Sequence, residues 1–494
     1  MELAFLLALT LQGPEIRRMA ADRDPDVRIH ALESLRSGGD PRELLAFLAD
    51  EHPRVRARTV RALAASADLD RLARPGLSHA HPLVRQGMCA ALERAGAKAA
   101  VPLLAERLRD PDPDVRARAA ESLGNLGDPG AADRLAEAFR RHSDWATRAY
   151  ALEALARLAP EKARPLLPPA SGDPAPPVRM VAAESLPRAG GPESYPLLPG
   201  LLNDPDWRVR VSAIEACREA RSREAIGWLA DRLGREKGRL RWDLVVALHD
   251  LTGNDLGLEG GPWQRWWEAN RETFQVRPPP GKGKAAAPDP GRTQASFFKI
   301  PILSDRVIFI LDLSGSMRDP APDPSLTKLD VAKRGMAETV RSLDGDTRFG
   351  ILGLGSDEDG RYTLRDKKTW RGRLTLLPAT PAAKADAENF LRGLEAKGWT
   401  NLYDAIEYAF GNPEVDTIFL YSDGGASRGI FSATGEILEN VRRMNRFRKI
   451  VIHTVEVAGE KNPADNRRLL VRLAEDSGGI CRLAERGPVP SARR

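Results

Sequence analysis

The chain has 494 residues, of which 42% are hydrophobic and 29% charged, and no apolar run is long enough to cross a bilayer. Lys and Arg exceed Asp and Glu by 75 to 69, and the first half contains no dense basic block with interleaved aromatic residues. Nucleic-acid binding is therefore not expected. The three cysteines are widely separated, which argues against a disulfide framework and a Cys metal site.

The apolar segment from Leu3 to Leu11 allows two interpretations. Its length suits the hydrophobic region of a secretion signal, which would favour an exported or periplasmic protein. However, Glu2 precedes it and no basic region is present, so it equally fits the first half of a helical repeat in a cytoplasmic protein. The sequence leaves the compartment open.

An internal repeat fills roughly the first 255 positions. Each copy has an acidic residue or His, a Pro, a short gap, a Val-Arg pair and a helical run that ends in Leu. The repeated arginines are Arg28, Arg56, Arg85 and Arg116 in clear copies, and Arg148, Arg179, Arg210 and Arg241 in weaker ones. Their intervals are 28, 29, 31, 32, 31, 31 and 31 residues, so each of eight units has room for two short helices.

The start of each copy has a physical explanation in helix capping. A Pro in the first helical turn loses no hydrogen bond, and the preceding Asp can cap the helix. The pattern resembles the short variety of HEAT repeat, which implies an all-α solenoid over residues 1–274 with a surface for a protein partner. The repeated Arg could form a ligand-binding ladder, but pairing with acidic or carbonyl groups of the adjacent unit is the preferred interpretation.

Three tryptophans mark the end of the repeats. Trp263, Trp266 and Trp267 are spaced to lie on one helical face. They could grip a sugar or a peptide, but a helix near 263–274 that caps the last repeat is favoured because solenoids need caps. Residues 275–296 are too rich in Pro and Gly to fold and are predicted to be a linker.

The second half begins with an unbroken apolar run from Val307 to Leu311, which predicts a strand buried on both faces of a parallel sheet. The turn that follows would bring Asp312, Ser314 and Ser316 to the carboxyl edge of that sheet. Such hard oxygen ligands suit Mg²⁺. The alternative is a polar turn in which Ser caps a helix.

Two later segments add oxygen ligands at element ends. Thr400 precedes a predicted helix over residues 402–410, and Asp423 follows a second apolar strand over residues 417–421. Further strands are predicted over 348–352 and 450–455, with helices over 330–343, 382–394, 437–447 and 466–475 and an antiparallel edge hairpin within 361–377. This alternation predicts a doubly wound α/β domain.

The three segments resemble the von Willebrand factor A (VWA) domain, from about residue 297 to 485, with a flexible tail over 486–494. In that family Asp-x-Ser-x-Ser, a Thr and an Asp form a metal-ion-dependent adhesion site. The resemblance implies a Rossmann-like sheet and a metal site that holds Mg²⁺, with Mn²⁺ and Ca²⁺ as alternatives. The implied ligands are Asp312, Ser314, Ser316, Thr400 and Asp423. Trp399 stands where a second Gly is common, and the expected partner-binding rim comprises Trp399, Gly424, Gly425 and Ser427.

The expected function is that of a non-enzymatic interaction scaffold. The metal would capture an acidic residue of a protein partner, and the solenoid would bind a second protein. One alternative is a phosphohydrolase of the haloacid dehalogenase type, which also opens with an Asp after a buried strand but needs a second Asp where Ser314 stands. Another relates the repeats to phycobilin lyases, although a repeat fold alone does not carry that function.

Overall fold

The computed structural model describes residues 13–38, 40–279, 295–355, 368–369, 374–457 and 464–484. Its contacts group into two compact units, residues 1–225 and 226–494. The segment 3–11, most of the linker, most of 361–377 and the tail 486–494 lie outside the described residues. Within the described residues, no helix combines the length and the apolarity needed to cross a bilayer.

The first unit is built from helices, and the predicted all-α repeat region is confirmed. From Pro25–Gly38 to Trp207–Ala220, each helix that carries a repeated Arg packs against its counterpart in the next repeat. The α-helices are Pro14–Ala20, Pro25–Gly38, Leu44–Phe47, Pro53–Ala64, Leu69–Leu77, Pro82–Arg94, Val101–Arg107, Pro113–Leu126, Ala132–Arg141, Trp145–Leu158, Pro160–Ala163, Leu167–Ser171, Pro176–Ser185, Leu198–Leu202 and Trp207–Ala220. Arg223–Leu233 follows at the boundary with the second unit.

Side chains cap the repeat helices as the sequence predicts. Asp112 accepts hydrogen bonds from the backbone N–H groups of Asp114 and Val115, at 3.0 and 3.1 Å, and Pro113 begins the helix. His52 takes the same position in an earlier repeat, where its Nδ1 lies 3.3 Å from the Arg54 nitrogen. An imidazole can therefore replace the capping carboxylate, which explains why the repeat tolerates His there.

Four of the repeated arginines make two-pronged ion pairs with an aspartate of the next repeat. The pairs are Arg28–Asp50, Arg85–Asp110, Arg148–Asp173 and Arg179–Asp204, with N–O distances of 2.6 to 2.9 Å. Each guanidinium also donates to backbone carbonyls five and six residues before it, as Arg85 does to Ala80 and His79. The interpretation of these arginines as connections between repeats is confirmed at these four positions.

The second unit begins with the last helices of the repeat region, Gly238–Thr252 and Gly260–Asn270. Trp263 is fully buried and donates its Nε1–H to the Gly257 carbonyl at 2.9 Å. Trp267 packs so closely on Gly227 that a Cβ at that position would lie 2.6 Å from the indole nitrogen. Trp267 therefore packs against Gly227 of the helix Arg223–Leu233, and the cap on the last repeat stays a prediction.

The α/β domain follows, with a mostly parallel sheet as predicted. The strands are β1 Ser296–Phe297, β2 Ile300–Pro301, β3 Arg306–Asp312, β4 Arg348–Leu354, β5 Lys368–Thr369, β6 Leu377–Pro378, β7 Thr417–Ser422, β8 Val451–Val457 and β9 Cys481–Ala484. β1 and β2 form a small antiparallel pair. The main sheet has the order β5-β4-β3-β7-β8-β9, and β5 and β6 both pair antiparallel with β4.

Helices connect the parallel strands of this sheet. They are Lys328–Ser342, Pro381–Arg392, Leu402–Phe410, Thr434–Asn445 and Ala464–Ser477. β3 is buried from Val307 to Asp312, as expected for a strand covered on both faces. The aromatic rings of Phe309 and Phe419 stack across β3 and β7 with centroids 5.4 Å apart.

The strand order creates a topological switch beside β3. β4 pairs with one side of β3 and β7 pairs with the other, so the connections to the two neighbours leave β3 in opposite directions. Open α/β sheets bind their ligands in the crevice that such a reversal leaves at the carboxyl ends of the strands. Asp312 is the last residue of β3, and Asp423 directly follows β7.

Candidate metal-ion site

The turn after β3 holds the first three predicted ligands close together. Asp312 is fully buried, and its Oδ1 accepts a hydrogen bond from the Ser314 N–H at 2.8 Å. A short 3-10 helix, Gly315–Arg318, then carries Ser316 back toward Ser314, and their hydroxyl oxygens lie 3.0 Å apart. One carboxylate and two hydroxyls therefore share this turn.

The end of β7 is bonded directly to this turn. The Ser422 hydroxyl donates to Asp312 Oδ2 at 2.6 Å, and the next residue, Asp423, is also buried. Burial, together with the nearby charge of Asp423, raises the pKa of Asp312 to about 6. Two buried carboxylates at one sheet edge are costly unless a cation offsets their charge.

A third segment brings Thr400 to the same edge. The Gly315 N–H donates to the Gly398 carbonyl at 2.9 Å, which joins the Thr400 loop to the turn after β3. Gly398 has a φ of +71°, a conformation that favours glycine. Thr400 is buried, and its N–H donates to Ser427 Oγ at 3.1 Å. The structure thus gathers all five predicted ligand residues from three separate segments.

A buried lysine, which no sequence motif predicts, also lies in this site. Lys328 begins the helix Lys328–Ser342 and is buried, with its Nζ 3.2 Å from Asp423 Oδ2 and 3.6 Å from Asp319 Oδ2. The Thr327 side chain caps this helix in a capping box with Asp330, which fixes where Lys328 emerges. Because Lys328 and Asp423 are 95 residues apart, no local motif signals their contact.

The four predicted rim residues differ in exposure. Trp399 is 43% exposed, Ser427 is exposed and Gly425 is partly exposed. Gly424 is buried, and its N–H donates to Ser422 Oγ at 3.0 Å. A further residue, Arg428, places its guanidinium carbon 5.0 Å from the centroid of the Trp399 ring. The rim therefore contains a cation that is not among the four predicted rim residues.

The chemistry of this donor set fits a hard divalent cation. Two carboxylates and three hydroxyls offer only oxygen ligands, which Mg²⁺ prefers, and they leave room for water or an outside ligand. In the part of the chain that the structure describes, no group of three or more His, Cys, Asp or Glu side chains is arranged to hold a metal. A metal at this edge would therefore depend on the hydroxyls as well as on the two carboxylates.

Comparison with protein families agrees with this architecture. Residues 71–143 and 133–202 match the HEAT repeats family, and residues 195–219 match a further HEAT repeat. Residues 307–425 match the von Willebrand factor type A domain family. The match to the VWA family covers β3, the turn after it, Thr400 and Asp423.

Individual relatives are distant. Inter-alpha-trypsin inhibitor heavy chain H3 of Bos taurus is 24% identical over 155 residues, which is 29% of this chain and only 15% of that protein. A von Willebrand factor type A structure from Catenulispora acidiphila has a TM-score of 0.29 and 19% identity, and the match covers 36% of this chain and 38% of that one. The CpcE and CpcF complex of phycocyanin lyase from Nostoc has a TM-score of 0.30 and 21% identity, with 46% and 94% covered.

These relatives are too distant to assign a substrate or a partner. The family matches are more informative, because HEAT repeats and VWA domains are typically non-catalytic modules of protein–protein interaction. The chain carries HEAT repeats over residues 71–219, followed by a VWA domain over residues 307–425.

Proposed function

We propose that this chain is a metal-dependent interaction scaffold. Its VWA domain binds Mg²⁺, with Mn²⁺ and Ca²⁺ as alternatives, and the ion captures a carboxylate of an acidic residue on a protein partner. The HEAT repeats offer a second surface to another protein. The observation that supports this proposal is the convergence of five oxygen-bearing side chains at the topological switch of the sheet, namely Asp312, Ser314, Ser316, Thr400 and Asp423.

The charge balance of the site favours an outside anion. Asp312 and Asp423 supply two negative charges, and Lys328 already offsets one of them. A bound divalent ion would therefore leave the site with a net positive charge. The ion would still attract an anion from outside the protein. A ring of three or four carboxylates would instead neutralise the ion and weaken its attraction for a partner.

Calorimetric titration of the full chain with Mg²⁺ tests the metal site. Asp312→Ala should reduce Mg²⁺ affinity by more than roughly a hundredfold, because it removes a charged ligand of the ion. Asp319→Ala is the matched control: it removes an exposed carboxylate of the same loop that is not a proposed ligand and should change affinity little. Wild-type affinity in Asp312→Ala would show that the site is wrongly assigned.

The phosphohydrolase alternative has little support. Such an enzyme needs an acid two residues after the first Asp, and that position carries Ser314, whose hydroxyl lies 3.0 Å from Ser316 Oγ. A serine hydroxyl does not act as a general acid near neutral pH. Release of phosphate from a generic phosphate ester in the presence of Mg²⁺, lost in Asp312→Ala, would favour the enzyme over the scaffold.

A further inference from the structure

Three cationic side chains surround the proposed ligands on the same loops. Arg318 lies two residues after Ser316 and Lys397 lies three residues before Thr400; Arg428 completes the group. Among the described residues, no carboxylate oxygen lies within 4.0 Å of their cationic nitrogens. Asp319, an exposed carboxylate of the same loop, lies 3.6 Å from Lys328 instead. We call Arg318, Lys397 and Arg428 the basic cluster.

Backbone contacts fix two members of the basic cluster beside each other. Arg318 donates its Nε–H to the Ala396 carbonyl at 2.9 Å. The backbone N–H of the next residue, Lys397, donates to the Leu313 carbonyl at 2.5 Å. Both residues lie where the turn after β3 contacts the Thr400 loop, and both are exposed. Their charges therefore lie on the surface around the proposed ion.

Arg428 is held from the opposite side of Thr400. Its backbone N–H donates to the Thr400 carbonyl at 3.1 Å, and its guanidinium lies over the exposed ring of Trp399. The next residue, Gly429, has a φ of +113°, and a Cβ there would collide with Asn401. The two loops consequently pack too closely at Gly429 for a larger residue.

The stacking of Arg428 on Trp399 leaves the guanidinium available to an outside anion. No carboxylate oxygen of the described residues lies within 4.0 Å of its nitrogens, and its Nε is buried without an acceptor among them, so an outside anion would reach only the two terminal nitrogens. A guanidinium that rests on an aromatic ring by its face keeps N–H groups at its edge for a carboxylate. The cation is thus oriented in advance without being neutralised.

We propose that the basic cluster forms the second half of the partner-binding surface, and that the partner presents an acidic protein segment with several carboxylates. One carboxylate binds the ion, and its neighbours in the segment pair with Arg318, Lys397 and Arg428. This inference rests on the proposed function, because the ion positions the first carboxylate. A single acidic residue would leave three cations unpaired, whereas an acidic segment complements the whole surface.

Two capped peptides test this inference by calorimetry with the full chain in Mg²⁺. One carries a single Glu among Gly and Ser residues, and the other carries three consecutive Glu residues in the same frame. The three-Glu peptide should bind roughly tenfold more tightly, and added NaCl should reduce this advantage because exposed charges are screened. Arg428→Gln should weaken the three-Glu peptide roughly two- to fivefold, the effect of one exposed charge pair. The single-Glu peptide should lose clearly less affinity than the three-Glu peptide does in the same variant.

Arg348→Gln is the matched control. It removes the same charge at the amino end of β4, the edge of the sheet opposite the site, where Arg348 pairs with Glu414 at the surface. This variant should bind both peptides as the wild type does. An equal loss in both variants would mean that only the overall charge of the domain matters, and it would overturn the inference.

The outcomes separate this inference from the proposed function. If Mg²⁺ and the single-Glu peptide bind but the three-Glu peptide gains nothing, the inference is overturned and the proposed function stands. If Mg²⁺ does not bind, both are overturned. If the three-Glu peptide binds equally well in EDTA, the surface attracts polyanions without the ion, and the inference is again overturned.

Discussion

The repeats and the VWA domain bury charge in two different ways. In the repeats, Arg85 and Asp110 face each other with two short hydrogen bonds, and the Arg85 Nη1 donates two more to backbone carbonyls. At the sheet edge, Asp312 and Asp423 are buried side by side, and Lys328 is the buried cation that contacts Asp423. The first arrangement is internally complete, whereas the second has an excess of negative charge.

The two arrangements of buried charge suit different roles, the paired ions a structural one and the cluster at the sheet edge a binding one. A completed pair has no remaining affinity for an outside ion, so its role is to connect one repeat with the next. An incomplete cluster carries an energetic cost that a bound cation would relieve. Charge that is buried without full compensation therefore indicates a binding site more clearly than the number of charged residues does.

The largest expected effect would come from breaking a completed pair. Arg85→Ala should lower the free energy of unfolding by about 3–5 kcal/mol, because the buried Asp110 would lose its two short hydrogen bonds and keep only the more distant Arg107, at 3.7 Å, as a cation. The urea midpoint, followed by the helical circular dichroism signal, measures this loss. A double variant, Arg85→Met with Asp110→Leu, should recover most of it because no charge is left buried.

The exposed pair Arg188–Glu219 provides the control for that experiment. Arg188→Ala removes an arginine of the same region whose pair is open to solvent, so its midpoint should move far less. Equal shifts for Arg85→Ala and Arg188→Ala would remove the distinction between buried and exposed pairs in the repeats.

Lowering the pH should weaken metal binding at the incomplete cluster. The pKa of Asp312 is raised to about 6, and Asp312 must lose its proton before it can hold an ion. Mg²⁺ affinity should therefore fall roughly tenfold for each pH unit below about 6 and stay nearly constant above about 7. Calorimetric titrations across this range test the expectation, and an affinity that is flat with pH would contradict it.

The same carboxyl group should make the metal-free protein more stable in acid. A raised pKa in the folded state means that the proton binds the folded state more tightly than the unfolded one. This contribution is fully present below the ordinary pKa of an aspartate and is lost as the pH rises through about 6. Asp312→Asn should abolish that dependence when thermal unfolding is followed in EDTA.

A smaller effect is expected from removing the lysine of the cluster. Lys328→Met should strengthen Mg²⁺ binding roughly three- to tenfold, because the ion would no longer be repelled by a buried ammonium. Without metal, the same variant should unfold at a lower temperature because Asp423 loses its counter-charge. Lys333→Met, on the same helix, serves as the control because, among the described residues, the Lys333 Nζ donates a hydrogen bond only to the exposed Arg392 carbonyl. Weaker Mg²⁺ binding in Lys328→Met would instead assign Lys328 a supporting role.

Local patterns account for the parts of the fold that the sequence predicted well. The helix Leu402–Phe410 was predicted to the residue, and the apolar run 307–311 lies within β3. The five predicted ligands follow strand ends or precede a helix, so their common location follows from parallel strands ending at one edge. Short β9 and the β1–β2 pair carry no periodic pattern long enough to recognise.

The rest of the site depends on packing between distant segments. Lys328 meets Asp423 only because the helix Lys328–Ser342 begins at the same sheet edge, 95 residues away in the sequence. Arg428 meets Trp399 because Gly429 lets two loops pack closely, and those loops have no regular pattern. Contacts of this kind form only in the folded chain. For this reason, the rim predicted from the sequence did not include Arg428.

The alternation of aspartate and histidine in the repeats has a mechanical consequence. Arg56 bonds to the carbonyls of Asp50 and Glu51, and the next repeat carries His79 at the position from which Asp110, Asp173 and Asp204 pair with the repeat before them. His142 takes the same position after Arg116, but Arg116 bonds instead to Asp144 at 2.5 Å. Because such arrays behave as links coupled to their nearest neighbours, their strength need not be uniform. We expect the contact between the repeats of Arg56 and His79 to open first when the array is stretched. The backbone amide protons of these two repeats should also exchange earliest with solvent.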